Sequence, residues 1–99
     1  MEFARQTTSD GATRLSLNGD LTIYRAGEIR QRLIEDVRAN GVLVLDLSRV
    51  SEIDTAGLQV LALAKRESHH LDHVLRIVDH SPVVRETIEF LNMAAFFGD

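Results

Sequence analysis

Four residues at the start of an apolar stretch combine an acid, a hydroxyl and two small side chains: Asp54-Thr55-Ala56-Gly57. Asp and Thr are frequent helix N-caps, so one interpretation is that this segment only begins a helix. The other is a modification site, because a phosphate on Thr55 would lie beside amides at the positive end of that helix. Such a phosphate would alter the surface rather than the core, as a switch that releases a partner requires. Local chemistry allows both interpretations.

The other reactive residues form no catalytic or metal-binding pattern. His69 and His73 stand four residues apart and would share a helical face, but no third ligand has a firm position beside them. Asp46 ends an apolar run, like the aspartate of a receiver domain, yet the acidic pair is missing and the only lysine, Lys65, falls within a predicted helix. Phosphate-binding loops, HExxH and nucleophile-elbow motifs are also absent. We therefore expect no enzymatic activity, no metal and no cofactor.

Composition predicts a small domain with an aliphatic core. The 99 residues suit a single domain, 1–99, without cysteine, and 44% of them are hydrophobic. The net charge of −4 is interspersed and the arginines form no basic stripe, which argues against nucleic acid as a partner. The sequence shows no signal peptide and no apolar run of about 20 residues. We therefore expect a cytoplasmic protein that does not insert into a membrane.

The N-terminal part predicts an antiparallel hairpin. In the run at 12–17, Leu15 and Leu17 alternate with polar neighbours, the pattern of a half-buried strand, and residues 2–7 form a weaker strand before it. Asp10-Gly11 between the two runs is a favoured hairpin turn pair. We expect the second strand to end where residues 18–20 break the alternation.

Beyond residue 20 the pattern alternates between helices and strands. The near-continuous apolar run at 42–47 is typical of a strand inside a parallel sheet, and the helix before it is long enough for the crossover. Ser81-Pro82 combines an N-cap with proline at the first helical position, which marks a helix start. The order predicts an α/β fold, a mixed β-sheet with helices packed mainly on one face. The expected elements are a helix from 26 that stops at 40–41, a strand at 42–47, a helix from 57 to about 68, a strand at 74–78, a helix from 82, and an apolar ending at 93–97.

Three segments together resemble the STAS domain of anti-sigma factor antagonists. They are GDLT at 19–22, LVLDLS at 43–48 and IDTAGL at 53–58, and the likeness extends over about residues 13–97. The resemblance implies a STAS-like fold in a small stand-alone bacterial protein. It also implies a regulatory protein rather than an enzyme.

The resemblance implies a role for each residue of the motif. Thr55 would be the phosphoacceptor, Asp54 the acid beside it, and Ala56 and Gly57 the neighbours that complete the switch segment. In anti-sigma factor antagonists the partner is both an anti-sigma factor and a serine/threonine kinase. The unphosphorylated form binds this partner and frees the sigma factor, phosphate blocks binding, and a phosphatase resets the cycle.

The resemblance also implies a partner-binding face formed by the helix after the motif and the loop at 20–24. Its candidate contacts are Asp20, Thr22, Tyr24 and Leu58.

Three positions depart from the common family pattern. Thr55 stands where serine is usual, Ala56 replaces a frequent hydroxyl residue, and Thr22 stands where an acid is common. Threonine can still accept phosphate, so these changes are compatible with the switch. They leave the identity of the kinase partner open. Residues 21–24 and 91–97 are similar to stand-alone STAS proteins of chemotaxis or other two-component systems. The alternative is a constitutive STAS adaptor of a lipid-transporting ABC complex, which docks on the ATPase without phosphorylation.

Overall fold

The computed structural model describes residues 2–8 and 10–90, and its elements follow the predicted order. They are β1 (Glu2–Thr7), β2 (Thr13–Leu21), α1 (Ala26–Ala39), β3 (Val42–Ile53), α2 (Thr55–His70), β4 (Val74–Val78) and α3 (Pro82–Phe90). The predicted apolar ending at 93–97 lies outside the described residues. Within the described part of the chain, no helix has both the length and the apolar character needed to cross a membrane.

The four strands form one mixed sheet, as the sequence predicts, and their order within it is β1-β2-β3-β4. β1 and β2 pair antiparallel, with Phe3 opposite Leu17, so the opening hairpin is confirmed. Its turn includes Gly11, whose φ of 88° lies in the left-handed region that favours glycine. β2 pairs parallel with β3, and β3 pairs parallel with β4, so α1 and α2 are crossover helices.

Alternation along the strands places one face of the sheet under the helices. On β2, Leu15 and Leu17 are fully buried, while Arg14 before them and Ser16 between them are partly exposed on the opposite face. This face and the helices enclose a single aliphatic core, which confirms the predicted α/β fold with helices on one side. The strand members of the core are Leu15, Leu17, Leu21, Leu43, Leu45, Leu47, Val50, Leu75 and Ile77.

Two strands and one helix are longer than the sequence predicts. β2 continues through residues 18–20 to Leu21, and β3 extends beyond residue 47 to Ile53. Register shifts in the β2–β3 pairing absorb the break in alternation while the ladder continues, so the predicted strand end was wrong. Helix α2 likewise runs from Thr55 to His70 rather than from 57 to about 68.

Polar contacts fasten β1, whose only large apolar residue is Phe3, to α1. The guanidinium of Arg5 donates to the carboxylate of the buried Asp36, and Arg32 of α1 lies 3.6 Å from the same carboxylate. The Arg32 guanidinium also stacks over the Phe3 ring, 4.9 Å from its centroid. A buried carboxylate between two cations thus supplies the attachment that apolar packing alone would not.

Candidate functional site

Asp54 is the N-cap of α2 and joins this helix to the loop before α1. Its Oδ1 accepts a hydrogen bond from the backbone amide of Gly57 at 3.0 Å, and its Oδ2 accepts one from the amide of Ile23 at 2.9 Å. Its own amide donates to the carbonyl oxygen of Leu21 at 3.3 Å, at the end of β2. One side chain therefore fixes both the helix start and the adjacent loop.

Hydrogen bonding favours the ionised form of Asp54. Burial by itself would raise the pKa of this carboxyl group, but hydrogen bonds from the amides of Gly57, Ile23 and Ala56 outweigh it and leave the pKa below its ordinary value. The carboxylate also interacts favourably with the positive end of the helix. The cap is therefore a negative charge at neutral pH.

Asp54→Ala should lower the free energy of unfolding by about 1–2 kcal/mol near neutral pH, because α2 loses its cap and Ile23 loses its acceptor. Since the pKa of Asp54 is lowered in the folded chain, this contribution is complete above the ordinary aspartate value of about 3.9 and is lost as the pH falls through the lowered pKa. Urea denaturation of both proteins at neutral and acid pH measures the two effects. Asp54→Asn, which keeps a capping oxygen, should lose less stability. Equal stability of Asp54→Ala and wild type at pH 7 would contradict the capping role.

Thr55 is the first residue of α2, and its side chain is exposed. Because Asp54 provides the cap, the Thr55 hydroxyl has no hydrogen-bond partner within residues 2–8 and 10–90. The residue lines a shallow groove between the start of α2 and the outer side of α3, together with Glu86, Thr87 and Phe90. The hydroxyl is therefore accessible to a phosphoryl donor.

Gly57 allows α2 to approach the end of β2 more closely than any other residue would. A Cβ atom at this position would lie 2.1 Å from the carbonyl oxygen of Leu21 and 2.9 Å from its Cγ atom. Both distances are far shorter than van der Waals contact. The missing side chain thus fixes the position of the helix start, and with it the position of Thr55.

The candidate partner contacts differ in exposure. Tyr24 is 89% exposed in the loop after β2, while Asp20 is partly buried and accepts a hydrogen bond from the buried Thr22 hydroxyl at 3.0 Å. Leu58 is only 3% exposed and belongs to the core, so its assignment as a partner contact was wrong. The helical position one residue further on, Gln59, is the exposed one. The sequence showed an apolar helix but not which side of it faces the sheet.

The α3 side of the groove was missed by the sequence reasoning. Glu86 and Thr87 line the same groove as Thr55 because α3, which packs on β3, faces the start of α2 across it. Their spacing from Thr55 along the chain carries no signal of this contact. A long-range packing arrangement of this kind needs the fold to be known.

The other residues considered for chemistry are engaged in structure. His69 lies in the last turn of α2, which ends at His70, and Nδ1 of His73 lies 2.9 Å from the carbonyl oxygen of Val37. Within the described residues, no three potential ligands are close enough to hold a metal ion.

Asp46, the candidate for a receiver-type aspartate, is part of an ion-pair network. Its side chain is 13% exposed, and its Oδ2 lies 2.9 Å from Nη2 of Arg14, which also pairs with Asp79 at 2.8 Å. Burial would raise the pKa of Asp46, but hydrogen bonds from Ser48 and Arg14 outweigh it and lower the pKa overall. The network joins β2, β3 and the segment after β4.

Comparison with known protein families covers nearly the whole chain. The model described as "Mlab, STAS domain" matches residues 4–97, including the helix start at 54–57. The chain belongs to the STAS domain family. No curated protein matches its sequence significantly.

Solved structures with the same fold as this STAS domain include regulatory proteins and a transporter. An anti-sigma factor antagonist from Mycobacterium paratuberculosis matches with a TM-score of 0.83 and 22% identity, over 98% of this chain and 82% of that one. The unphosphorylated anti-sigma factor antagonist SpoIIAA matches with a TM-score of 0.73 and 19% identity, over 95% and 84%. The murine anion transporter Slc26a9 gives a TM-score of 0.70 and 23% identity, over 81% of this chain but only 14% of its own. These likenesses show a shared fold.

Proposed function

We propose that this STAS domain is a non-enzymatic regulatory protein whose binding to a signalling partner is switched by phosphorylation of Thr55. The division of roles at the start of α2 carries the proposal. Asp54 caps the helix, while Thr55 keeps an exposed hydroxyl without a hydrogen-bond partner in the described part of the chain. A threonine whose structural role is filled by its neighbour is available as a phosphoacceptor.

A phosphate on Thr55 would stay at the surface of the domain. One of the first helix amides is already engaged, because Asp54 accepts a hydrogen bond from Gly57. The phosphate would add a charge of about −1.5 to −2 one residue from Asp54, in a groove that also contains the carboxylate of Glu86. None of the described residues that line this groove is a cation. A partner packed against Thr55 would have to bury this charge cluster, which favours release.

The proposed partner is a serine/threonine kinase that also acts as an anti-sigma factor, or another signalling protein of a chemotaxis or two-component system. The fold shared with anti-sigma factor antagonists supports this class, and SpoIIAA has been solved in unphosphorylated and phosphorylated forms. The contact surface would centre on Thr55 and include Asp20 and the exposed Tyr24, in the loop that Asp54 fixes beside the helix start. A phosphatase in the cytoplasm would restore the binding form.

Incubation with ATP and candidate kinases of the same genome tests the proposal. We expect one phosphate per chain, located at Thr55 by mass spectrometry and absent in Thr55→Ala. Thr87→Ala is the matched control, because Thr87 lies in the same groove but its hydroxyl donates to the carbonyl oxygen of Val83 at 2.8 Å. Phosphate on another residue, or on none with any candidate kinase, would count strongly against the switch.

A second function, constitutive docking on the ATPase of a lipid-transporting ABC complex, is favoured by the apolar surface beside the site. Ile23 and Tyr24 are 68% and 89% exposed, and permanent interfaces are more hydrophobic than transient ones. In this case Thr55 would have no regulatory role. If an ATPase co-purifies with the wild type and with Thr55→Glu in equal amounts, the result would support the adaptor over the switch.

A further inference from the structure

A second groove lies between α1 and α2, next to the switch segment but without Thr55. It encloses about 290 Å³, and apolar side chains form most of its walls. Three of its lining residues, Ala26, Gly27 and Ala56, are small, so the backbone of another chain could approach closely. We call it the α1–α2 groove. Its walls include Ala26, Gly27, Arg30, Ala56, Val60 and Leu63.

Gly27 in this groove has no structural role of the kind found at Gly57. A Cβ atom added at Gly27 would meet no other atom within 4 Å, and the backbone there is not in the left-handed region. Even in the first turn of a helix, where Gly27 lies, glycine is conformationally less favourable than alanine. Neither a turn nor internal packing requires this cost. The missing side chain instead leaves space in the groove for another molecule.

Arg30 gives the groove a single positive charge. It is exposed, and within the described residues it has neither an ion pair nor a hydrogen-bonded side chain. A guanidinium over an apolar floor is suited to a two-pronged hydrogen bond with a carboxylate. Four other arginines of the chain already pair with carboxylates: Arg5, Arg14, Arg32 and Arg38.

We propose that the α1–α2 groove binds an amphipathic helix of a partner protein, with an acidic residue of that helix facing Arg30. Its apolar side would lie on the partly exposed Ala56 and Leu63, above the buried Val60, and its backbone would approach Gly27. The stretch of α2 from Ala56 to Leu63 is about 10 Å long, which matches two helical turns. The inference goes beyond the switch, because the groove does not contain Thr55 and the helix binds with or without a phosphate there.

A second copy of the chain suits this groove less well than an acidic helix. A two-fold contact centred on the groove would bring the two Arg30 side chains together, and like charges at an interface are unfavourable. Light scattering of the full chain separates the two occupants. If the wild type is a dimer and Gly27→Leu is a monomer, the groove mediates self-association and the proposal is overturned.

Stapled helical peptides of about 14 residues serve as probes, identical except for Glu, Gln or Lys at the central position of the apolar side. Titrated into the full chain and followed by backbone amide NMR shifts, the Glu peptide should shift the residues that line the groove. It should bind about fivefold more tightly than the Lys peptide, and Arg30→Glu should reverse this order. Equal affinity of the Glu and Lys peptides, shifts centred elsewhere, or no binding by any peptide would each overturn the proposal.

Two glycine variants test the space in the groove without disturbing the fold. Gly27→Leu should weaken binding of the Glu peptide at least tenfold, because its side chain fills the place of the partner's backbone. Gly41→Leu is the matched control, since a Cβ atom there also meets nothing within 4 Å but Gly41 lies outside the groove. Unchanged binding to Gly27→Leu, or equal losses in both variants, would contradict the assignment.

Discussion

Gly57→Ala should lower the free energy of unfolding by about 2–3 kcal/mol, the range of strong overpacking. The added methyl group would lie 2.1 Å from the carbonyl oxygen of Leu21, which is backbone and cannot rotate away as a flexible side chain would. Relief requires the start of α2 to move away from the end of β2. For a domain of 99 residues this corresponds to a fall in melting temperature on the order of 10 °C.

Gly27→Ala provides the matched control for this prediction, because it makes the same chemical change in the first turn of the other crossover helix. Its methyl group would enter open space, so we expect stability equal to or slightly above that of the wild type. Thermal denaturation of the two variants side by side measures the difference. If Gly57→Ala and Gly27→Ala had the same melting temperature, the close contact between α2 and β2 would not be a feature of the folded protein.

Thr55→Glu should fold normally and lose partner binding by a factor of about 30 or more, as expected when an unpaired charge is placed in an interface. Folding is retained because the Thr55 side chain is exposed and because a negative charge in the first helical turn interacts favourably with the helix. Repulsion from Asp54 and Glu86 offsets part of this gain. We therefore expect the free energy of unfolding to stay within about 1 kcal/mol of the wild type.

Thr55→Val separates charge from shape in this experiment. It removes the hydroxyl but keeps the branched side chain, so it should bind the partner as the wild type does and accept no phosphate. Calorimetric titration of the partner with both variants, together with their melting curves, gives the comparison. An unfolded Thr55→Glu protein would show that the site is structural, and full binding by Thr55→Glu would favour the constitutive adaptor.

Local chemical signals predicted most of the fold. The apolar run at 42–47 lies within β3, and Ser81-Pro82 marks the start of α3. The Asp10-Gly11 turn lies between β1 and β2. The extension of β2 to Leu21 was not predictable from alternation, because the pairing with β3 is maintained across bulges. Such pairing depends on a strand that is distant in sequence.

The candidate site was predictable only in part for the same reason. The sequence indicated that residues 54–57 begin a helix, but not that the Asp54 side chain caps it while the Thr55 hydroxyl has no hydrogen-bond partner among the described residues. It assigned Leu58 to the surface, whereas the packing of α2 on the sheet turns that side chain into the core. The carboxylate of Glu86 beside Thr55 comes from a helix whose position no local pattern specifies.

A phosphate on Thr55 should change partner binding without changing the fold. Calorimetric titration of the purified partner with unmodified and Thr55-phosphorylated protein, alongside amide NMR spectra of both forms, measures both effects. We expect an affinity at least tenfold lower for the phosphorylated form, with spectral changes confined to residues around the start of α2 and the groove with α3. Equal affinities for the two forms, or spectral changes throughout the core, would contradict this expectation.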